Sequence, residues 1–368
     1  MSNSFGRLFR ITTFGESHGR GLGVTLDGCP AGLAIDAAYI QAELDRRKPG
    51  QSKITTSRKE EDQIEILSGI YQGQTLGTSI GMVVYNADAK SKHYDELKDL
   101  YRPGHADYTY QSRYGLRDHR GGGRASNREA VGRVAAGAVA KAFLQDLLGT
   151  SCLSWVEQVH HIEAQIDPDQ VRFEDIEANI VRCPDPAKAQ EMIAAISQAK
   201  TEGNSLGGSI GFAVKGLPAG LGAPIFDKLT ALLAQALMSI PATRSVSFGL
   251  GEGATRLKGS EHNDAFILRD GRVSTKSNRA GGMLGGMTNG ETLWGHVTFK
   301  PTATLMIDQE TVTADGREVI FKARGRHDPC VLPRAVPNVD AMVNLVLADQ
   351  LLLYSCANMD RLRRSLRQ

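Results

Sequence analysis

Apolar residues recur at helical spacing twice along this chain, each time after the same short prelude. Ile40 and Leu44 lie in LDGCPAGLAIDAAYIQAEL (26–44), and Leu229, Leu232, Leu233 and Leu237 lie in VKGLPAGLGAPIFDKLTALLAQAL (214–237). Steps of three and four put each set on one face, so both segments predict a helix after a turn. The turn is a shared Gly-x-Pro-Ala-Gly-Leu. Two longer stretches, 128–148 and 334–352, are apolar nearly all round, and each opens on an arginine. Such stretches predict buried helices. The Ala and Gly content of 128–148 predicts close packing on more than one side. β-rich runs at 23–26, 79–85, 154–164, 209–214 and 294–299 predict strands that alternate only partly with the helices.

The prelude is one of three landmarks that recur in order. GIYQGQTLGTSIGMVVYN (69–86) and GMTNGETLWGHVTFKP (286–301) share Gly-x-x-x-Gly-x-Thr-Leu before a β-rich run, and the two long apolar helices form the third pair. The offsets are 188, 217 and about 206. This predicts a single domain of two related halves, roughly 1–150 and 207–368, with 151–206 inserted between them. The fold class expected is α+β, with internal helices between two antiparallel sheets, rather than a regular βαβ parallel sheet.

Composition narrows the function classes. Lys and Arg total 43 against 41 Asp and Glu, a net charge of +2, which argues against nucleic-acid binding by bulk electrostatics. No run of 18 apolar residues suggests a membrane span, and the start MSNSFGRLFRITTFGESHG lacks an apolar signal core, so a cytoplasmic protein is expected. Five widely spaced cysteines without CxxC read as reduced thiols. Nine histidines without HExxH or Cys/His spacing predict no metal site.

The 40 glycines are the unusual feature, because many flank His, Ser or Arg. In TTFGESHGRG, Ser17 and His18 are adjacent, and on a strand they would face opposite ways, so they do not form a nucleophile–base pair. HRGGGRASNREAVGRVAAGAVA (119–140) is a Gly-rich loop entering a helix. Arg120, Arg124, Arg128 and Ser126 there suit an anion. It is neither GxxxxGK[ST] nor GxGxxG. RRKPGQSK (46–53) alone reads as a solvated basic helix end. His105 in YRPGHADYTY belongs in a turn, and KARGRHDPCVLPRAVP (322–337) adds Arg324, Arg326, His327 and Arg334. Together these segments predict a glycine-lined, arginine-rich site for a polyanion. Besides an enzyme, an anion-binding protein without catalysis stays open at this level.

Seven motifs narrow the choice. FGESHG, RPGHADYTY, GGGRAS, SFGLGEG, AGGMLGG, KPTAT and GRHDPC, in this order over essentially the whole length, resemble those of the chorismate synthase family. The resemblance implies conversion of 5-enolpyruvylshikimate 3-phosphate to chorismate and phosphate by a 1,4-anti elimination, the last common step of the shikimate pathway. It implies dependence on reduced FMN without net redox change, a homotetramer, and a β-α-β sandwich subunit. By the same resemblance His18, His105, Asp349 and Ser17 are catalytic. FMN contacts fall on Arg124, Ala125, Ser126, Pro241, Ala242, Gly285, Lys300, Pro301, Thr302, Ala303, Thr304 and Arg326. Arg47, Lys53, Arg102, Arg128 and Arg334 meet substrate or NADPH. No flavin-reductase segment is recognisable in the sequence, so an external reductase or reductant is expected to supply the reduced flavin.

Overall fold

The computed structural model describes residues 2–52, 54–55, 61–86, 97–323 and 328–366. It opens with β1 (Ser4–Phe5), β2 (Arg10–Gly15), β3 (Gly21–Asp27) and helix α1 (Ala37–Arg47). Then come β4 (Ile64–Ile66), β5 (Ile70–Tyr71), β6 (Gln74–Thr75), β7 (Ile80–Tyr85), α2 (Asp107–Tyr114) and α3 (Ala130–Leu148). The centre holds β8 (Ser151–Val159), β9 (Ile162–Glu163), α4 (Phe173–Glu177), α5 (Pro186–Thr201), β10 (Gly208–Lys215), α6 (Leu229–Met238) and β11 (Thr243–Phe248). After α7 (Gly259–His262) run three hairpins' worth of short strands: β12 (Phe266–Arg269), β13 (Arg272–Thr275), β14 (Met283–Leu284), β15 (Met287–Thr288), β17 (Asp308–Val312) and β18 (Glu318–Lys322). The long β16 (Leu293–Phe299) lies among them. The chain closes with α8 (Leu332–Ser355) and α9 (Met359–Leu366).

The mixed helix and strand class is as expected, and the strands form two five-stranded antiparallel sheets. Their orders are β1-β2-β3-β7-β4 and β9-β8-β10-β16-β11. α3 packs against β3 and against α8, and α8 packs against β8 and β10. The small residues of α3 follow from these contacts. A Cβ on Gly132 would come within 3.0 Å of the Gly23 carbonyl, and one on Gly137 within 2.4 Å of Ala341 Cβ. α3 therefore carries glycine where it presses on strand and on helix. α8 has the length and apolarity to cross a membrane, yet 83% of its most apolar window is buried inside the fold. Pro337 removes an N–H from the α8 ladder, and the Pro333 carbonyl four residues back accepts from Arg182 NH1 instead, at 2.5 Å.

The two sheets correspond in detail. Thr75 Oγ1 donates to the Pro30 carbonyl at 2.6 Å and accepts from Leu33 N at 3.0 Å. Thr288 Oγ1 donates to the Pro218 carbonyl at 2.6 Å and accepts from Leu221 N at 2.9 Å. Pro30 and Pro218 belong to the repeated prelude, so that pairing stands at offset 188. The second pairing is corrected. The hairpins β5–β6 and β14–β15 and the strands β7 and β16 coincide at offset 213, not 217. Glycine-rich turns matched by letter slipped the register by four. Gly69 and Gly282 both have positive φ (82° and 77°), and a Cβ on either would strike the Cα of the residue that opens β7 or β16, Ile80 or Leu293. Each sheet also lays an aromatic ring over a cross-strand glycine, Phe14 over Gly23 and Trp155 over Gly211.

Three other expectations are adjusted. The strand expected at 154–164 starts at Ser151 and breaks at His160, whose φ is 53°. β8 is an interior strand of the second sheet, so the segment 151–206 is not wholly an insertion; the excursion is 160–207. Arg128 precedes α3 in a single 3-10 turn (Asn127–Glu129) capped by Ser126.

Candidate active site

His18 sits in the turn between β2 and β3. Asn86 pins that turn by donating from Nδ2 to the Glu16 carbonyl at 3.2 Å and the Gly19 carbonyl at 2.8 Å. Ser17 is buried behind the imidazole, with Oγ 3.2 Å from His18 Nδ1. Gly121 is the reason the ring fits. At φ 88° it brings the loop before α3 so close that a Cβ would lie 2.4 Å from His18 Nδ1. The triple glycine thus passes backbone across a histidine.

His105 lies in the turn before α2. Its Nδ1 is 3.2 Å from Asp107 Oδ1 and 3.1 Å from Arg102 NH2. Arg102 grips Asp107 with Nε and NH2, both at 2.7 Å, and reaches the Gly121 carbonyl at 3.0 Å. Burial pushes the Asp107 carboxyl up, but hydrogen bonds from Arg102 and His105 overcome that and hold it well below the usual carboxylate range. This cluster ties the two histidine-bearing turns through the glycine loop.

The basic helix end is not solvated as its sequence alone suggested. Arg47 is 1% exposed, with NH1 2.5 Å from Asp62 Oδ2. Arg128 NH1 meets the other oxygen, Asp62 Oδ1, at 2.7 Å, and its Nε donates to Asn86 Oδ1 at 2.6 Å. Arg334 donates from Nε to the Arg47 carbonyl at 3.2 Å and pairs with Asp328. Burial pushes the Arg47 guanidinium down to about 10; Asp62 opposes this, while Arg334 and Arg128 add to it.

These groups line one cavity of about 620 Å³. It takes in His18, Arg47, Arg102, His105, Arg124, Ala125, Ser126, Arg128, Pro241, Ala242, Lys300, Pro301, Thr302, Ala303, Thr304 and Arg334. Elements of both sheets contribute. Ala242 holds φ at 72°, a backbone that alanine seldom adopts, and its carbonyl accepts from Lys300 N at 2.9 Å. Lys300 Nζ crosses to the Gly104 carbonyl at 2.8 Å, and burial pushes its ammonium down with help from Arg244. Arg124 braces the first sheet, donating to Thr13 Oγ1 at 2.7 Å. Seven cationic side chains face the cavity against two carboxylates, Glu129 and Asp328.

Several expected residues are elsewhere. Asp349 does not line the cavity. From α8 its Oδ1 accepts from Arg7, Leu8 and Phe9 N–H at 3.0, 2.7 and 3.0 Å, beside a separate cavity of about 320 Å³. Its carboxylate is engaged in fixing the β1–β2 connection. Gly285 forms the β14–β15 turn and does not line the cavity either. Arg120 turns to Asp118 at 2.7 Å. Lys53, Arg324, Arg326 and His327 lie outside the described residues. Sequence reasoning missed Asp62, Glu129, Arg133 and Asp328. A larger cavity of about 810 Å³ shares His105, Gly121, Arg124 and Arg133 as a common wall and runs on past Tyr110 and Tyr114.

A sequence model of the family described as chorismate synthase matches residues 9–352. A protein named chorismate synthase from Prochlorococcus marinus (strain AS9601) is 57% identical over 355 residues, covering 96% of this chain and 97% of the relative. Another of that name from strain MIT 9303 is 57% identical over 353 residues, with 96% and 98% coverage. A solved crystal structure of a chorismate synthase superposes with a TM-score of 0.77 at 31% identity, covering 98% of this chain and 96% of that one.

Proposed function

The chain belongs to the chorismate synthase family, lyases of the last common step of the shikimate pathway, and from that premise we propose the roles of its cavity residues. The reaction breaks the C–O bond to phosphate and a C–H bond across a four-carbon system, giving chorismate, phosphate and a proton. Arg47, Arg128 and Arg334 hold the phosphate and carboxylates of the substrate, because guanidinium forks match both groups. Arg102 is turned mainly to Asp107 and orders the histidines. His18 gives a proton to the departing phosphate. Its Nδ1 is held at Ser17, so the transfer belongs to Nε2. His105 Nδ1 is likewise held between Arg102 and Asp107, leaving Nε2 to serve the cavity.

The family uses reduced flavin, and the donor set here fits FMN. Ser126, Thr302 and Thr304 offer hydroxyls, Arg124 and Lys300 offer charge, and Gly104, Ala125, Ala242 and Ala303 leave room for a flat ring. Pro241 has no N–H, so it offers apolar surface and its carbonyl but no backbone donor. Reduced flavin held by these residues would supply an electron-rich ring beside the substrate. Asp349 we assign to fixing the N-terminal loop rather than to proton transfer.

The paired Thr75 and Thr288 latches support one domain of two duplicated halves, with α3 and α8 layered between the sheets as a β-α-β sandwich. We propose the homotetramer that the family resemblance implies; exposed Phe226 (90%), Leu268 (77%) and Ile320 (65%) offer apolar surface for subunit contacts. We also propose a cytoplasmic enzyme fed with reduced FMN by an external reductase, with Arg47 meeting substrate.

The observation that carries the reading is the convergence of two histidines and an arginine cluster, drawn from both halves of the chain, on one cavity. The test is phosphate release from 5-enolpyruvylshikimate 3-phosphate under anaerobic conditions with catalytic reduced FMN. Many turnovers per flavin are expected. One equivalent of reductant consumed per product would overturn the elimination in favour of net electron transfer.

A further inference from the structure

Asp62 is the most deeply buried acid near the cavity, and it has no place in the motifs. Its side chain is 0% exposed, it does not line the cavity, and it stands between two residues that do. Each carboxylate oxygen takes one guanidinium: Oδ2 from Arg47 NH1 at 2.5 Å, Oδ1 from Arg128 NH1 at 2.7 Å. The backbone beneath is fixed as well. Asp62 has φ 49°, a left-handed conformation that Asp tolerates better than most residues, and Gln41 of α1 straddles it. Gln41 donates from Nε2 to the Asp62 carbonyl at 3.3 Å and accepts from Ile64 N at 2.9 Å.

We propose that Asp62 is a positioning residue that sets the spacing and direction of Arg47 and Arg128 in the cavity. This rests on the reading of those arginines as the anion site. Three guanidiniums, Arg47, Arg128 and Arg334, are buried close together and repel one another. Without a counter-charge behind them, the first two would splay apart, and an incoming phosphate would have to reassemble them. Asp62 does that assembly beforehand, from the side away from the ligand. The sign of the effect separates this role from bulk electrostatics. Deleting a negative charge beside an anion site tightens anion binding by Coulomb attraction alone. Loss of positioning weakens it.

The experiment measures binding of inorganic phosphate to wild type and Asp62→Asn by calorimetry, alongside turnover of the enolpyruvyl substrate. Phosphate binding reads the pocket alone, so an enzyme that binds phosphate but fails at turnover overturns the reaction reading and leaves this inference standing. We expect Asp62→Asn to bind phosphate at least ~10-fold more weakly and to raise KM for the substrate by a similar factor, with kcat changed less. Equal or tighter phosphate binding by the variant overturns the proposal, and so does a wild type that binds no phosphate. Should Asp62→Asn not fold, Arg128→Lys decides. It keeps the charge but cannot hold Asp62 and Asn86 together, so it should lose affinity too; wild-type affinity in that variant overturns the clamp.

Discussion

Replacing Gly121 by alanine should damage catalysis more than stability, and the structure supplies both magnitudes. Its φ of 88° costs a side-chain-bearing residue about 1–2 kcal/mol. The same cost applies at Gly149, the C-cap of α3, where φ is 66° and an added Cβ meets nothing within 4 Å. At Gly121 the added Cβ falls 2.4 Å from His18 Nδ1 and 2.5 Å from Cε1, whereas ordinary contact begins at 3.4 Å. The imidazole must therefore retreat by about 1 Å, a displacement on the scale that lowers a chemical step ~10²-fold. Both variants should lose a few degrees in thermal denaturation. Only Gly121→Ala should lose kcat, measured as anaerobic phosphate release with reduced FMN. If Gly121→Ala keeps kcat within about threefold of wild type while melting like Gly149→Ala, the loop does not position His18 and the argument fails.

His18→Ala should lower kcat by ~10² or more with little change in flavin affinity, whereas His105→Ala should change the spectrum or pH response of bound reduced flavin. Normal kcat per folded His18→Ala enzyme would reduce FGESHG to a packing motif. Asp107 is held as a carboxylate below its unfolded value near 3.8, so it stabilises the fold above that pH, and the contribution fades as pH falls through and below it. Melting curves of wild type and Asp107→Asn should differ by a constant amount above about pH 5 and converge in acid; a gap that widens in acid contradicts the assignment. Burial pushes the thiols of Cys29 and Cys183 up to about 11 and of Cys330 up to about 12, and Cys152 also rises, while Cys356 is exposed. Native protein at pH 8 should therefore react rapidly with one equivalent of a thiol reagent per chain, and two or more fast equivalents would count against the packing described.

Much of the cavity was legible because its residues carry unusual local chemistry. A histidine between glycines, a triple glycine with arginines and a Pro-punctuated basic loop each stand out from their neighbours, and all but the residues outside the described segments can be placed. What did not stand out were the counter-charges. Asp62 comes from EEDQ, which reads as a solvated acidic run, and Asp328 and Glu129 are lone acids beside prominent arginines. The role of Asp62 arises only when Arg128 arrives from elsewhere in the chain, which no local pattern encodes, whereas Glu129 and Asp328 pair with the nearby Arg133 and Arg334. Asp349 differs in the opposite way: the family resemblance suggested chemistry there, while three backbone N–H groups already occupy one of its oxygens. The repeat was visible through its prolines and misjudged through its glycines, because Gly69 aligns with Gly282 by its place against the sheet strand and with Gly286 by letter.

The two aromatic-over-glycine pairs end in different surroundings. β2 returns to β3 through residues 16–20, while β8 returns to β10 through residues 160–207. Closing the longer connection costs about 2 kcal/mol more in chain entropy, since the penalty grows only with the logarithm of length. That segment repays it by shielding a sheet face: Val171 and Ile176 pack on Trp155 and Ala213, leaving Trp155 2% exposed. The short turn has no such material to give. Phe14 stays 47% exposed and Tyr85 55%, so the first sheet keeps an unshielded apolar face that the second has lost.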